Sequence, residues 1–129
     1  MSSTDSIFET SFDPRGFIIS RVAPLAEINL EHAKVNSAKV RELSGDQAYP
    51  ILVDMRNIRS ISKEARDHFA MRGRKPGVVA IAMLVSSPLS RIIGNFFLGL
   101  NQPEVPTKMF TERTSAEVWI LSGKHQDHE

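Results

Sequence analysis

An uninterrupted apolar run from Val78 to Val85 constrains the fold of this chain more than any other stretch. It carries no charge and several β-branched residues, and a run of this length is typical of a strand that is buried on both faces. Ser86-Ser87-Pro88 follows, where a serine can cap a helix and proline suits the first helical turn. A buried strand that leads directly into a helix is half of a βαβ unit, and the rest of the chain is predicted to pack around it.

The helix predicted over residues 87–101 carries a regular apolar stripe. Its six members recur at helical spacing and are Leu89, Ile92, Ile93, Phe96, Phe97 and Leu100. We interpret this stripe as core that packs on a sheet. A second interpretation stays open, in which part of the stripe forms the wall of a pocket for an apolar ligand. The pocket residues would be Ile93, Phe96, Phe97 and Leu100.

Length and composition indicate one domain. The chain has 129 residues, enough to bury a core without disulfides or metal, and it has no cysteine. The absence of cysteine excludes a disulfide scaffold, a thiol nucleophile and a cysteine-based metal site. We therefore expect a single domain over residues 1–129, with disordered tails at 1–5 and 123–129.

Targeting signals are not apparent. The N-terminal residues lack the basic patch and apolar core of a signal peptide, and no apolar run approaches the ~20 residues that span a bilayer. We therefore expect a cytoplasmic protein without a transmembrane segment. The net charge of +1 gives no indication of nucleic-acid binding, and no such partner is expected. Residues 56–75, however, hold seven basic and two acidic side chains. The favoured interpretation of this excess is a solvated helix face plus a loop, and the alternative is an anion-facing surface.

The remaining elements alternate along the chain. Residues 7–12 and 17–22 are predicted to form a β-hairpin, because Asp13-Pro14-Arg15-Gly16 has strong turn chemistry. Further strands are predicted at 50–55, 78–85 and 106–110, and helices at 30–43, 62–72, 87–101 and 111–123. The order β-β-α-β-α-β-α-β-α predicts an α/β domain with a mixed, mostly parallel five-stranded sheet flanked by about four helices.

The four histidines form no recognisable metal or catalytic arrangement. His125 and His128 lie in the C-terminal tail, where binding a metal would first have to order the chain. We expect no metal site and no cofactor. His68 is interpreted as an exposed surface side chain, and His32 as a residue of the first turn of its helix.

Motifs of the common enzyme classes are missing. The sequence has no nucleophile elbow, no phosphate-binding loop and no dinucleotide fingerprint. The side chains that an enzyme would have to use are Asp54, Ser62, His68 and Asn95. No pair among them has a diagnostic spacing, so a non-enzymatic protein is the favoured interpretation.

Two blocks of the sequence carry a family resemblance: VDMRNIRSISKEARDHFA (residues 53–70) and SSPLSRIIGNFFLGLNQPEVPTKMFTERTSAEVWI (residues 86–120). Together with the order of elements they resemble the SpoIIAA-like, or STAS/Sec14-like, family of small bacterial domains. The resemblance covers about residues 7–121 and implies the SpoIIAA-like fold. The second block is typical of an uncharacterised subgroup of that family.

The first block corresponds to the switch segment of the family's anti-sigma-factor antagonists. That segment reads roughly D-x-S-G-V-x-x-M-D-S-S-G, and a partner kinase phosphorylates the second of the paired serines. Asp54 matches the aspartate at the strand end, at the edge of the sheet where open α/β folds place their sites. Ile58 and Ile61 match the apolar positions.

The paired serines are where this chain departs from the pattern. Ser62 falls on the second aspartate, and Lys63 and Glu64 fall on the two serines. The phospho-switch serine is therefore replaced by Glu64, which carries a permanent negative charge. Ser62 is interpreted as the N-cap of the helix that follows.

The resemblance implies a regulatory or protein-interaction module without enzymatic activity, and we expect a homodimer. Basic side chains around a helix N-terminus suit a phosphate, a carboxylate or an acidic protein surface. The predicted partner or anion site consists of Asp54, Arg56, Arg59, Ser60, Ser62, Lys63, Glu64 and Arg66. Sec14-type domains of related fold hold lipids beneath a helix. The alternative function is therefore a carrier or sensor of an apolar or amphipathic, lipid-like molecule beneath the 87–101 helix.

Overall fold

The structure is a computed structural model that describes residues 7–72, 78–86, 88–92 and 106–123, with only the backbone described at 70–72. Its elements, in chain order, are β1 (Phe8–Asp13), β2 (Phe17–Val22), β3 (Glu27–Ile28), α1 (Leu30–Ser44), β4 (Tyr49–Asp54), β5 (Ser60–Ile61), α2 (Lys63–Arg72), β6 (Val78–Leu84), β7 (Thr107–Phe110) and α3 (Arg113–Ser122). Residues 88–92 are also helical, as predicted for the start of the 87–101 helix.

Five strands form one sheet in the order β1-β2-β4-β6-β7. The β1–β2 pair is antiparallel and the other three pairs are parallel, which confirms the predicted mixed, mostly parallel sheet. The hairpin closes at Gly16, whose φ of 109° is accessible to glycine without strain. Its N–H donates to the carbonyl oxygen of Asp13 at 2.8 Å.

A second, two-stranded sheet was not predicted. β3 pairs in parallel with β5, so that Glu27 lies opposite Ser60 and Ile28 lies opposite Ile61. The sequence analysis assigned no strand between the strand at 50–55 and the helix at 62–72, so it missed β5. A strand of two residues is too short to show the alternation of apolar and polar residues that indicates a strand in a sequence.

The two faces of the main sheet are covered by different helices. Side chains alternate between the faces along each strand. Phe17, Leu52 and Ala82 lie on one face and pack against Ala116 and Ile120 of α3. The opposite face carries α1 and α2.

The core on the α1 and α2 face forms two clusters. Ile18 and Ile51 pack against Val40 of α1. The second cluster lies nearer the carboxyl ends of the strands, where Met83 and Ala65 of α2 belong to it. This is the end of the sheet from which the segment after β4 emerges.

The start of α1 agrees with the sequence prediction. Asn29 is the N-cap, and its side-chain oxygen accepts from the backbone N–H of His32 at 3.0 Å. In return, the backbone N–H of Asn29 donates to Nδ1 of His32 at 3.0 Å. His32 thus completes a reciprocal capping arrangement that satisfies two backbone donors at the helix start. Gly45 follows the last helical residue and caps the C-terminus of α1.

Candidate functional site

The segment from residue 54 to residue 64, here called the 54–64 segment, is held in place by its backbone. Beyond the β3–β5 pairing, the carbonyl oxygen of Asn57 accepts from Leu25 N–H at 2.7 Å. Arg59 N–H donates to the carbonyl oxygen of Ala26 at 2.8 Å. These bonds fasten the segment to residues 25–28 on one side, so it is an ordered part of the fold.

Apolar side chains anchor the same segment from below. Met55, Ile58 and Ile61 are buried and belong to the core cluster beneath α2. The side chains between them point outward, and the exposed ones in the segment include Asn57, Arg59, Ser60, Lys63 and Glu64. The 54–64 segment therefore presents a polar outer surface on an apolar base.

Asp54 lies at the end of β4, as predicted, and is paired with Arg56. Nε and Nη2 of Arg56 donate to the two carboxylate oxygens of Asp54 at 2.9 and 2.8 Å. The Asp54 side chain is only 8% exposed, whereas that of Arg56 is 40% exposed. Burial raises the pKa of the Asp54 carboxyl, but the hydrogen bonds and charge of Arg56 outweigh burial and hold this pKa below its usual value.

The Asp54–Arg56 pair also fixes the start of the segment. The backbone N–H of Arg56 donates to Asp54 Oδ1 at 3.3 Å, and the hydroxyl of Ser86 donates to the carbonyl oxygen of Arg56 at 3.1 Å. Two neighbouring parallel strands, β4 and β6, thus meet through these polar contacts at the carboxyl edge of the sheet. The geometry assigns Asp54 an orienting role for the backbone of the segment.

The two exposed cations of the segment each have an acidic neighbour. Arg59 Nη1 lies 3.7 Å from Glu27 Oε2, and Lys63 Nζ lies 3.0 Å from Asp67 Oδ2. All four side chains are more than half exposed, and such pairs contribute only about 0–1 kcal/mol each. Both cations can therefore exchange these neighbours for an acidic group of a partner at small energetic cost.

The N-terminus of α2 is capped as predicted, because Ser62 Oγ accepts from Ala65 N–H at 3.1 Å. Glu64 is exposed in the first turn, where a negative charge interacts favourably with the helix dipole. Arg66 is different from the other basic residues of the predicted site. It is partly buried, and its Nη1 lies 3.4 Å from the carbonyl oxygen of Ile61, to which it donates. Arg66 therefore supports the segment from inside.

Ser62→Ala is expected to lower the free energy of unfolding by about 1 kcal/mol, because Ala65 N–H loses its acceptor at the helix start. Equilibrium denaturation in urea measures this change. Ser60→Ala is the matched control, since Ser60 is exposed in β5 and is expected to change stability by less than about 0.5 kcal/mol. Equal losses for the two variants would contradict the N-cap assignment.

His68 is not the exposed side chain that the sequence predicted. It is partly buried on α2, and its Nε2 lies within hydrogen-bonding distance, 2.9 Å, of Ser37 Oγ on α1. The prediction was wrong because it treated α2 by itself, whereas α1 presents a small serine at the point where the two helices meet. In the described part of the chain, no group of three or more His, Cys, Asp or Glu side chains could hold a metal ion. His125 and His128 lie outside it.

The predicted pocket residues, Ile93, Phe96, Phe97 and Leu100, lie outside the described residues, as does Asn95.

A different cavity, of about 130 Å³, lies between α1, α2 and the main sheet. Its lining is mostly apolar and includes Val22, Ile51, Val53 and Met83. The polar residues that line it are Ser20, Asn36, Ser37 and Thr107. Sequence reasoning missed this cavity, because polar residues on the inward side of α1 do not by themselves indicate one.

Solved structures of the SpoIIAA-like fold are similar to this chain. One is an uncharacterised protein of the DUF3478 family from Shewanella loihica PV-4, with a TM-score of 0.64 and 12% identity over 88% of this chain and 91% of that chain. Another is the anti-sigma factor antagonist SpoIIAA in its unphosphorylated form, with a TM-score of 0.59 and 14% identity over 86% and 94% of the two chains. These similarities confirm the SpoIIAA-like α/β fold.

A protein of unknown function from Arthrobacter sp. FB24 is 30% identical over 87% of this chain and 97% of that chain, with a TM-score of 0.31. The comparison with curated proteins found no match. Among the described helices, none combines the length and the apolar character needed to cross a membrane. The family model of a domain of unknown function, DUF7793, matches residues 12–124. The chain therefore belongs to the DUF7793 family, and its fold is SpoIIAA-like.

Proposed function

We propose that this chain is a non-enzymatic STAS-like interaction module, and that its partner surface is the outer side of the 54–64 segment with the first turn of α2. One observation carries the proposal: the backbone of the segment is fastened to residues 25–28 while its charged side chains face outward. An ordered segment loses little conformational entropy when a partner binds, so more of the contact energy becomes affinity.

The charges of this surface favour an acidic or phosphorylated partner group. Arg59 precedes α2 and Lys63 is its first residue, and both are held only by weak, exposed ion pairs. Glu64, which the sequence resemblance aligns with the phosphorylated serine of the anti-sigma-factor antagonists, keeps one negative charge on the same turn. The charge of this surface is then fixed by Glu64, whereas in the anti-sigma-factor antagonists a kinase controls the charge at the corresponding serine.

Leu25 gives this surface an apolar contact point. It is 67% exposed, and its φ of 62° is unusual for a residue with a side chain. This conformation costs about 1–2 kcal/mol. Its N–H is bonded to Asn57 O, so the strained residue is fixed directly beside the 54–64 segment. An exposed apolar side chain within a charged rim is the usual composition of a protein interface.

The anti-sigma factor antagonist SpoIIAA, which has a similar fold, supports a role in protein interaction for this module. At 14% identity the similarity concerns the fold. The proposed partner of this chain is defined only by the acidic or phosphorylated group that it presents. The homodimer expected from the sequence stays a prediction.

Site-directed cross-linking tests the proposed surface. Because the chain has no cysteine, Ser60→Cys and Val118→Cys each carry a single thiol for a benzophenone label. Ser60 lies on the proposed surface, and Val118 is exposed on α3 at the opposite face of the sheet. We expect a specific cross-linked partner in extracts of the source organism from the Ser60 position only, identified by mass spectrometry.

Charge reversal provides the second half of this test. Adding Arg59→Glu and Lys63→Glu to the Ser60→Cys variant is expected to abolish the cross-link, because an acidic partner would then be repelled. A product of twice the chain mass would identify a second copy as the partner. Equal capture from both label positions, or capture that survives charge reversal, would refute the proposed surface.

A further inference from the structure

The cavity between α1, α2 and the main sheet has the size of a small-molecule site. Its volume of about 130 Å³ is close to that of engineered apolar cavities of about 150 Å³ that bind benzene. Apolar side chains such as Val53 and Met83 form most of its wall.

Asn36 supplies the most informative polar group of the wall. It is only 8% exposed, and its Oδ1 accepts from the hydroxyl of Thr10 at 2.5 Å. The hydroxyl of Ser20 lies 2.9 Å from that of Thr10 and 3.5 Å from Asn36 Oδ1. The carbonyl side of the amide is thus satisfied by a small hydroxyl network that links β1, β2 and α1.

The Nδ2 group of Asn36 carries two N–H donors, and each of them needs an acceptor. Within the described residues it makes no hydrogen bond. Asn36 lines the cavity, so an acceptor supplied from inside the cavity can reach this amide and complete its hydrogen bonding. The lining residue Asn36 would donate to it.

The wall also restricts the charge of an occupant. None of the lining residues in the described part of the chain has an ionisable side chain. A carboxylate or phosphate placed there would lose its hydration without gaining a counter-charge. The chemistry therefore favours a neutral molecule over a fatty acid carboxylate or a phospholipid headgroup.

We propose that this cavity binds a small uncharged molecule with an apolar body about the size of a benzene ring and one hydrogen-bond acceptor, such as a hydroxyl or carbonyl oxygen, that meets Asn36 Nδ2. Ser37, whose Oγ is bonded to His68, adds a second hydroxyl to the wall. The proposal does not depend on the partner surface of the 54–64 segment, and it differs from a lipid carrier in the charge and size of the molecule.

Three probes of nearly equal size test the proposal: benzyl alcohol, toluene and benzoate. Each is titrated into the full chain while methyl and amide NMR signals are followed. We expect saturable binding of benzyl alcohol with shifts at Val53 and Met83. Toluene is expected to bind roughly fivefold more weakly because it lacks the hydrogen bond. Benzoate is expected to bind at least about tenfold more weakly than the alcohol, since its charge has no counterpart in the wall.

Two variants separate the cavity from non-specific binding. Val53→Phe fills the cavity and is expected to abolish binding of benzyl alcohol and toluene, whereas Val118→Phe, exposed on the other side of the sheet, leaves both unchanged. Circular dichroism verifies that the variants are folded. Asn36→Leu provides an independent readout, because it should remove the preference for benzyl alcohol over toluene.

The proposal is overturned if neither neutral probe binds saturably, or if benzoate binds as tightly as benzyl alcohol. Binding that survives in a folded Val53→Phe variant would also overturn it. Should Val53→Phe fail to fold, the preference for the alcohol over toluene in Asn36→Leu decides the question, and an unchanged preference would refute the role of Asn36.

Discussion

Leu52→Ala is expected to lower the free energy of unfolding by about 2–5 kcal/mol. Leu52 is completely buried on β4 and lies in the cluster that joins the sheet to α3, together with Phe17 and Ile120. Removing its side chain loses apolar burial and leaves a cavity between a central strand and the helix. Neither the strand nor the helix can move far enough to close this cavity, because Ala82 and Ala116 already pack in the same cluster.

Leu121→Ala is the matched control for this experiment. Leu121 lies on the same helix, α3, but is 45% exposed, so the same chemical change should cost much less, about 0.5 kcal/mol. Urea denaturation of both variants, followed by the fluorescence of Trp119, gives the two values. A Leu52→Ala loss no larger than that of Leu121→Ala would show that α3 does not pack on the sheet as described.

Asp54→Asn is expected to destabilise the protein by about 1–2 kcal/mol at neutral pH. The carboxylate is buried and receives two side-chain hydrogen bonds from Arg56, and the amide cannot accept both of them. We place the loss below that of a fully buried ion pair, because Arg56 is 40% exposed and recovers hydration when the pair is broken.

The pH dependence of this loss has a definite sign. The pKa of Asp54 lies below its ordinary value of 3.8 in the folded state, so the pair stabilises the fold above that value. Its contribution disappears as the pH falls through the lower folded-state pKa. The difference in unfolding free energy between wild type and Asp54→Asn should therefore be constant near neutral pH and shrink below about pH 3.8.

Asp67→Asn is the control for the loss of one carboxylate charge, because it removes the same charge from an exposed position. Asp67 is paired with Lys63 on the exposed side of α2, and the variant should change stability by less than about 1 kcal/mol. Denaturation curves at a series of pH values compare the two. A loss in Asp54→Asn that persists undiminished at the acidic end would contradict the assigned role of the Asp54 carboxylate.

Local patterns were sufficient to predict most of the fold. The apolar runs at 78–85 and 50–55 predicted strands of a mostly parallel sheet, and the observed strands, Val78–Leu84 and Tyr49–Asp54, end within one residue of these bounds. Ser62 was identified as an N-cap because a cap depends on residues only three positions apart. Contacts between residues a few positions apart can be predicted from the sequence, because the covalent chain fixes the distance between the two residues.

Contacts between distant segments could not be predicted in the same way. The pairing of Glu27 with Ser60, the His68–Ser37 hydrogen bond and the position of Asn36 at a cavity wall all depend on how α1 and α2 lie on the sheet. Polar residues on α1 gave no reason, by themselves, to expect a cavity.

The candidate site shows the same division. Asp54 was placed at the end of its strand from the sequence, and the structure agrees. Its pairing with Arg56 and the inward turn of Arg66 depend on side-chain geometry that no spacing rule gives. The sequence showed an excess of basic residues over 56–75, whereas the structure gives Arg59 and Lys63 of the 54–64 segment an acidic neighbour each, one of them Glu27 from a different part of the chain.

The coverage of one sheet face by α3 alone, among the described helices, has a consequence for how the protein is made. Phe17, Leu52 and Ala82 belong to strands that the ribosome completes early, whereas Ala116 and Ile120, which cover them, are synthesised much later. Until α3 has been synthesised, the apolar face formed by these strands lacks the described helix that covers it. Such a face is prone to aggregation, and a chaperone that shields apolar surface would act at this stage of synthesis.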